Sequence, residues 1–279
     1  MNRKAVLAIV SGSVIAGTSG WLIKSIDLPG ASLAFLRMAL PSLFLGLWMY
    51  SKSIRFFRGK IKPLLWASLL NALRMYLFIL AYQMTTVSNT IIMLFTWPIF
   101  VNVLSSLILK EHVSRKQILL LVLAFSGILV IFSGEGFELG NNHFLGMLCA
   151  LTSAIFFSMS YVIFKRVIHE YHRNEIIFYQ NLLGAWIFLP FFLFIGKWPS
   201  VSDWPLISIY GLLMGIGIFH FFLYGLKHLE ASKASMLQYT EIVSALIIGV
   251  IFLDETLSGR ILVGAGLILT AITVLQKSK

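Results

Sequence analysis

The sequence predicts an all-α polytopic membrane protein whose ten transmembrane helices form two inverted five-helix repeats. Three observations carry this reading. Apolar runs of roughly 17–21 residues recur down the chain, the length that crosses about 30 Å of hydrocarbon as a helix. Residues 88–131 return faintly 144 positions later as residues 232–275. Basic residues crowd the alternate connecting segments that would share one side of the membrane.

The composition leaves little room for a soluble protein. Hydrophobic residues fill 58% of 279 positions and charged residues 12%, about half the usual share of roughly 25% in soluble domains. Uncharged runs place spans near 5–23, 31–50, 63–82, 89–109, 117–133, 145–164, 176–195, 206–226, 234–253 and 260–275.

Charge fixes the expected orientation. With the N-terminus cytoplasmic, the inside segments carry Arg3, Lys4, Lys52, Arg55, Arg58, Lys60, Lys62, Lys110, Arg115, Lys116, Lys165, Arg166, Arg173, Lys227, Lys233, Lys277 and Lys279. Only Lys24, Lys197 and Arg260 lie outside. Such asymmetry retains the basic side in the cytoplasm and places both termini there, in a bacterial-type cytoplasmic (inner) membrane. It also accounts for the net charge of +11 without a nucleic-acid partner, for which the chain has no basic-aromatic motif.

The echo between residues 88–131 and 232–275 aligns Ser88, Thr96, Glu111, Ser114 and Val130 with Ser232, Thr240, Glu255, Ser258 and Val274. Only 8 of 44 positions are identical, so the shared design carries the argument. Each copy is an apolar span, an acidic Leu-Lys-Glu or Leu-Asp-Glu end, and a second apolar span. Upstream, Lys24 answers Lys165, while Phe35 and Arg37 answer Phe178 and Gln180. The chain divides into repeats at 1–140 and 141–279. Five spans per repeat is an odd number, so the second copy enters the membrane from the opposite side. Two similar bundles related by an axis in the membrane plane can exchange conformations, the architecture of transporters.

Other features set limits. Cys149 is the only cysteine, so there is no intramolecular disulfide or thiolate cage, and it reads as a small residue in span 6. The N-terminal Asn2-Arg3-Lys4 and the apolar run after it resemble a signal peptide, yet cleavage would remove half of a repeat element that aligns through Lys24 and Lys165. No G-x-x-x-x-G-K loop is present, which excludes ATP-driven pumping by this chain alone. Gly12-Ala16-Gly20 and Gly211-Gly215 are small residues at four-residue spacing, suited to close helix approach. Trp198 and Trp204 read as interfacial anchors.

On these residues the chain resembles the EamA-type members of the drug/metabolite transporter superfamily. The marks are Leu33-Ala34-Phe35-Leu36-Arg37, Pro98 thirteen residues before Glu111, Gln117 and Gly127, then Tyr239-Thr240-Glu241, Leu253-Asp254-Glu255 and Gly264. Departures are Leu120 for a first-copy glycine, Ile242 for a second-copy proline and Ala271 for a later glycine, so helix kinks are expected to differ between the bundles. The resemblance implies ten helices, a central cavity between the halves and a small metabolite as substrate, often exported.

Charges inside spans cost roughly 2.5–3.5 kcal/mol each on insertion scales and face a partner or a substrate. Three occur here: Arg37, Arg74 and Glu241. Asn71 and Arg74 share one face of span 3, Gln238 and Glu241 share a stripe on span 9, and His220 and Tyr224 share a face of span 8. Trp97 aligns with Glu241, and Tyr76 with His220; Tyr239 adds to an aromatic lining. These ten residues are the candidate substrate-binding set, and Gln180 and Asn181 are expected to hydrogen-bond between helices. Two arginines against one glutamate favour an organic anion or a zwitterion such as an amino acid, with Arg74 on the anion and Glu241 on the amine or a coupling proton. The competing reading of Arg74 and Glu241 is a buried salt bridge between the halves.

The expected activity is therefore secondary transport by alternating access, as export or as exchange against a counter-substrate, by a monomer or homodimer in the lipid bilayer, with no cofactor or metal. A polytopic membrane enzyme or a channel is the alternative. His169 and His172 lack the spacing of an H-E-x-x-H zinc site and read as a solvated turn.

Overall fold

Ten helical spans long and apolar enough to cross a membrane run through the computed structural model. It describes residues 1–54, 56, 61–133, 141–195, 197–253 and 258–277. The spans are Arg3–Ile23, Gly30–Ser51, Ile61–Met84, Asn89–Leu109, Arg115–Phe132, Asn142–Val167, Arg173–Phe194, Val201–His228, Ala231–Phe252 and Gly259–Lys277, numbered here 1 to 10. Because ten is even, both termini lie at one face of the bundle, called here the terminus face. Glu255 and basic Arg55, Arg58, Lys60 and Lys279 lie outside the described residues, as does the side chain of Lys24.

Local chemistry sets the helix starts. Asn2 Oδ1 accepts from the amides of Lys4 and Ala5, opening span 1. Ser114 Oγ accepts from Gln117 N at 3.2 Å, and Ser258 Oγ from Ile261 N at 3.4 Å. The identity of Ser114 and Ser258 in the two copies is thus an N-cap kept at the start of spans 5 and 10.

Spans 4 and 9 are each broken, and at equivalent places. Span 4 stops at Leu94 and resumes at Trp97; span 9 stops at Leu237 and resumes at Thr240. In both, the shared threonine turns its hydroxyl back on the carbonyl three residues earlier. Thr96 Oγ1 donates to Met93 O at 2.6 Å and Thr240 Oγ1 to Leu237 O at 2.8 Å. That bond competes with the helical ladder. Pro98 reinforces the break in span 4, since it has no N–H to return. The missing proline does not remove the break: Ile242 stands in its place in span 9, and the threonine turn breaks the helix there without it. The π-type turns at Ser105–Leu109 and Leu213–Gly217 have no counterpart in the described residues of the other half. The two breaks touch, with Tyr239 donating its hydroxyl to Phe95 O at 3.0 Å and the rings stacking at 6.2 Å between centroids. Phe95 and Tyr239 are partners in the 144-residue repeat.

The halves interlock rather than sit side by side. Span 1 packs on spans 8 and 9, span 6 on spans 3 and 4, span 2 on spans 7 and 8, span 3 on span 7, and span 5 on span 10. Exchanging each span with the one five later maps this set of contacts onto itself, which fits the inverted pair. Gly12 packs against Phe221, whereas Gly17 rather than Ala16 meets Ser244. A Cβ on Gly211 would come 3.2 Å from Leu40 Cδ1, the end of a flexible side chain, whereas one on Gly215 would strike the Pro41 ring, so Gly215 is the residue that lets span 8 lie against span 2.

Spans 5 and 10 cross on their glycines. A Cβ on Gly127 would fall 2.6 Å from Gly264 O and 2.8 Å from Ile268 Cγ1, and one on Gly264 would fall 2.6 Å from Ile131 Cγ1. The glycines missing at Leu120 and Ala271 are thereby explained. One glycine from each half makes the single close crossing, and the mirror contact is filled by side chains. Gly127→Val and Gly264→Val should each destabilise the detergent-purified protein by about 1–3 kcal/mol through overpacking. Ala271→Gly should cost only the ~1 kcal/mol of helix propensity. Thermal melts of the three variants check the order.

Candidate functional site

Arg74 and Glu241 stand half-buried near the middle of spans 3 and 9. Arg74 Nε donates to Asn71 Oδ1 at 3.2 Å, which realises the predicted i, i+3 pair. The guanidinium carbon lies 4.3 Å from the centroid of Phe157, so the cation rests on an aromatic face. Ser153 donates to Arg74 O at 2.8 Å and ties span 6 to span 3. Among the described residues the other guanidinium N–H groups have no acceptor.

Glu241 occupies the first turn of the half-helix Thr240–Leu253. The helix N-terminus there is a favourable place for a carboxylate, because the unpaired N–H groups carry partial positive charge. Arg74 and Arg37 are both near enough for their fields to reach it. Yet among the described residues the carboxylate has no ion-pair partner within 4 Å and no hydrogen-bond donor. The salt bridge weighed from the sequence is absent. The break in span 9 is what brings Glu241 to a helix start instead of a helix middle.

Arg37 is the third charge. Its Nη1 lies 4.0 Å from Met75 Sδ, its guanidinium carbon 5.9 Å from the Tyr210 centroid, and its Nε is buried without a partner. Tyr210 was not foreseen. It is buried on span 8, where the aligned residue of span 3 is Trp66, so the repeat gave no hint of it.

The remaining candidates divide into two groups. Trp97 packs at 4.7 Å from Phe157 and 5.3 Å from Tyr161, and its carbonyl accepts from Ser158 at 2.8 Å. Gln238 Nε2 donates to the Tyr161 hydroxyl at 2.9 Å. Together with Tyr239 on Phe95, these residues form an aromatic wall along the two helix breaks, beside Arg74. Phe157 and Tyr161 were missed, although Ser153, Phe157 and Tyr161 at four-residue steps on span 6 were a readable stripe.

His220, Tyr224 and Tyr76 go elsewhere. Arg173 Nη1 approaches His220 O at 3.4 Å, and its guanidinium lies 5.4 Å from the Tyr224 centroid. Both residues thus belong with the start of span 7 near the terminus face. Tyr76 packs on Phe191 at 5.4 Å. His172 is exposed in the turn, as expected, and stacks on Trp48 at 5.7 Å between centroids. Its neighbour His169 is exposed, and partial desolvation, with Lys165, Lys227 and His228 nearby, holds its imidazole below the usual histidine range.

The terminus face is tied across the halves. Span 4 ends in a π-type turn at Ser105–Leu109, and Lys110 takes a left-handed φ of 56°. That turn delivers Glu111 to the start of span 9, where its two carboxylate oxygens accept from Ala231 N at 2.7 Å and Ser232 N at 3.0 Å. At the end of span 8, Lys165 Nζ donates to Leu226 O at 2.7 Å and Leu229 O at 2.6 Å. The opposite face has the exposed pair Lys197–Asp27 at 2.7 Å, which raises the lysine pKa through its hydrogen bond. Exposed pairs are worth ~0–1 kcal/mol. A cavity of about 180 Å³ lies at the terminus face between Gln117, Glu230 and Lys233, away from Arg74 and Glu241. Among the described residues no cluster of three His, Cys, Asp or Glu could hold a metal ion.

With this architecture in view, the comparisons with known proteins identify the class. Residues 3–133 and 144–276 each match the EamA-like transporter family, and the chain belongs to that family. It is 30% identical to the uncharacterized transporter YoaV of Bacillus subtilis (strain 168), over 95% of this chain and 94% of that one. An uncharacterized transporter of Archaeoglobus fulgidus is 28% identical over 98% of this chain and 96% of its own. The pseudopaline exporter CntI of Pseudomonas aeruginosa (strain UCBPP-PA14) is 24% identical over 99% of this chain and 97% of its own. A crystal structure of another protein, 16% identical, superposes with a TM-score of 0.87 over 99% of both chains and shares the fold. The protein is an integral membrane protein of a transporter family, with a small-molecule substrate.

Replacing Glu111 should expose the worth of the tie. Glu111→Ala leaves two amides at the start of span 9 without their acceptor and should cost about 1–2 kcal/mol, as for lost helix caps. Glu111→Gln, which keeps one acceptor oxygen, should lose less; thermal melts in detergent distinguish the two.

Proposed function

We propose that the protein is a secondary transporter, not an enzyme, that moves an amino acid or a related organic anion or zwitterion by alternating access. Export or exchange is the expected direction, in keeping with the exporter among its relatives. The observation that carries the proposal is the unspent pair at mid-span. Arg74 spends only its Nε, on Asn71, and keeps its other N–H donors, while among the described residues the Glu241 carboxylate has no partner. Ions left unpaired in hydrocarbon are costly, and the usual reason to keep them is a solute or ion that pairs with them.

In this reading Arg74 holds the carboxylate or phosphate of the solute by paired N–H donors, for which a guanidinium is shaped. Glu241 holds the ammonium group, or a coupling proton when the solute has none. The aromatic wall of Trp97, Phe157 and Tyr161 excludes water beside the pair and strengthens both contacts. The broken spans 4 and 9 supply hinges at the level of the site, as expected of paired discontinuous helices. The terminus face, tied by Glu111 to the start of span 9, is read as cytoplasmic from the basic residues.

A thermal-shift screen against amino acids, nucleosides, sugar phosphates and organic acids should find a stabilising carboxylate- or phosphate-bearing ligand. In vesicles reconstituted with the protein, uptake of that ligand should fall by about 100-fold or more in Arg74→Ala, the loss of one buried charge-assisted contact of ~3 kcal/mol. Glu241→Gln should lose comparable activity for a zwitterion. Full uptake by both variants, with normal folding, rejects the proposal.

A further inference from the structure

Gln180 on span 7 is 1% exposed, and both its amide nitrogen and its amide oxygen are buried without a hydrogen-bond partner. This overturns the expectation that it bonds between helices. Its neighbour Asn181 does, donating to Ile177 O at 2.7 Å and to Gly215 O at 3.2 Å. The Gly215 carbonyl lies in the π-type turn Leu213–Gly217. Leaving a buried amide unpaired is costly, and such groups call for a specific explanation.

The explanation lies in the repeat. Gln180 is the counterpart of Arg37, whose Nε is also buried and unpartnered. Spans 2 and 7 cross antiparallel, with Gly184 against Met38 and Gly46 against Phe178. Counted along that crossing, Gln180 lies deeper toward the terminus face than Arg37 by about six residues, roughly 9 Å at helical rise. Each half thus places one underused polar side chain at the same position, and the two positions are displaced toward opposite faces.

We propose that Gln180 is the terminus-side station of the solute route, the counterpart of Arg37 on the other side, and that it meets the carboxylate and ammonium groups of a zwitterion or organic anion when the bundle opens toward the terminus face. The inference rests on the transport reading above. A neutral amide offers a donor to a carboxylate and an acceptor to an ammonium, without the fixed charge of Arg37. The solute is held by charge from one side and by hydrogen bonds alone from the other. In this structure Gln180 is buried, and a station there requires that opening toward the terminus face uncover it.

Thiol labelling tests this with the protein as it exists. Cys149→Ser removes the only cysteine, and Gln180→Cys, Arg37→Cys and the fully buried Ile177→Cys are placed singly in that background. Membrane-impermeant 2-sulfonatoethyl methanethiosulfonate is applied from either face of sealed vesicles. Gln180→Cys should react from the terminus face only, and about tenfold or more faster than Ile177→Cys, because even a minor open state of ~1–10% exposes it. Arg37→Cys should react from the opposite face. With each rate divided by that of free cysteine, the anionic reagent should outpace its trimethylammonium analogue at Gln180→Cys, drawn by Arg74.

Gln180→Cys unreactive from both faces, with Arg37→Cys reactive, overturns the station and leaves the transport reading intact. Both thiols unreactive from every side reject the transport route itself, and reaction of Gln180→Cys from the opposite face alone reverses the assignment. Cysteine is smaller than glutamine and removes a group without a partner, so folding should survive. Gln180→Leu is the second variant. It should fold and melt no lower than the parent, while solute uptake falls about tenfold or more; unchanged uptake overturns the station.

Discussion

Inside hydrocarbon there is no water to accept a backbone bond, so every departure from regular helix must be repaired by the protein itself. This bundle departs at the breaks in spans 4 and 9 and at two π-type turns, and named side chains reach the backbone there. Tyr239 bonds the carbonyl of Phe95, Ser158 that of Trp97, and Asn181 that of Gly215. Glu111 serves the first amides of span 9 and Lys165 the last carbonyls of span 8. Removing one such partner strands a backbone group at a cost of ~1–3 kcal/mol or more, so these residues are committed.

That commitment separates scaffold from site. Tyr239, Gln238 and Trp97 are polar or amphipathic, near the midplane and repeat-distinct, which made them good candidates on paper. Their polar groups are spent on the fold. Among the residues singled out from the sequence, those with capacity to spare include Arg74, Glu241, the Nε of Arg37 and the amide of Gln180. Pseudo-symmetry makes the same point. Positions with one chemistry in both copies, such as Thr96 with Thr240 and Ser114 with Ser258, shape helices. Positions that differ, such as Trp97 against Glu241 and Arg37 against Gln180, supply the asymmetry of charge that a vectorial process requires.

Much of the fold was legible because the bilayer imposes simple lengths and signs on a sequence. The spans, the repeat and the charged mid-span residues follow from local composition. The break in span 9 was not legible: Ile242 stands where span 4 has proline, and a threonine back-bond carries no unique sequence mark. Nor could the sequence say that Glu111 caps a helix 120 residues away, or that the glycines at 127 and 264 answer each other across a crossing. The separation of Arg74 from Glu241 was equally hidden. Two opposite charges in apolar spans read as a salt bridge until the Asn71 and Phe157 contacts of Arg74 and the helix-start position of Glu241 are known.

The central claim is that Arg74 and Glu241 are kept apart for a solute and are not paired for stability. A double-mutant cycle on thermal unfolding in detergent, without added ligand, tests it most directly, using Arg74→Met, Glu241→Leu and the double variant. The account predicts that the two effects add, with a coupling of no more than ~0.5 kcal/mol, as for groups without a shared contact. Large losses of ~3–5 kcal/mol in each single variant, largely recovered in the double, would mark a buried ion pair and contradict it.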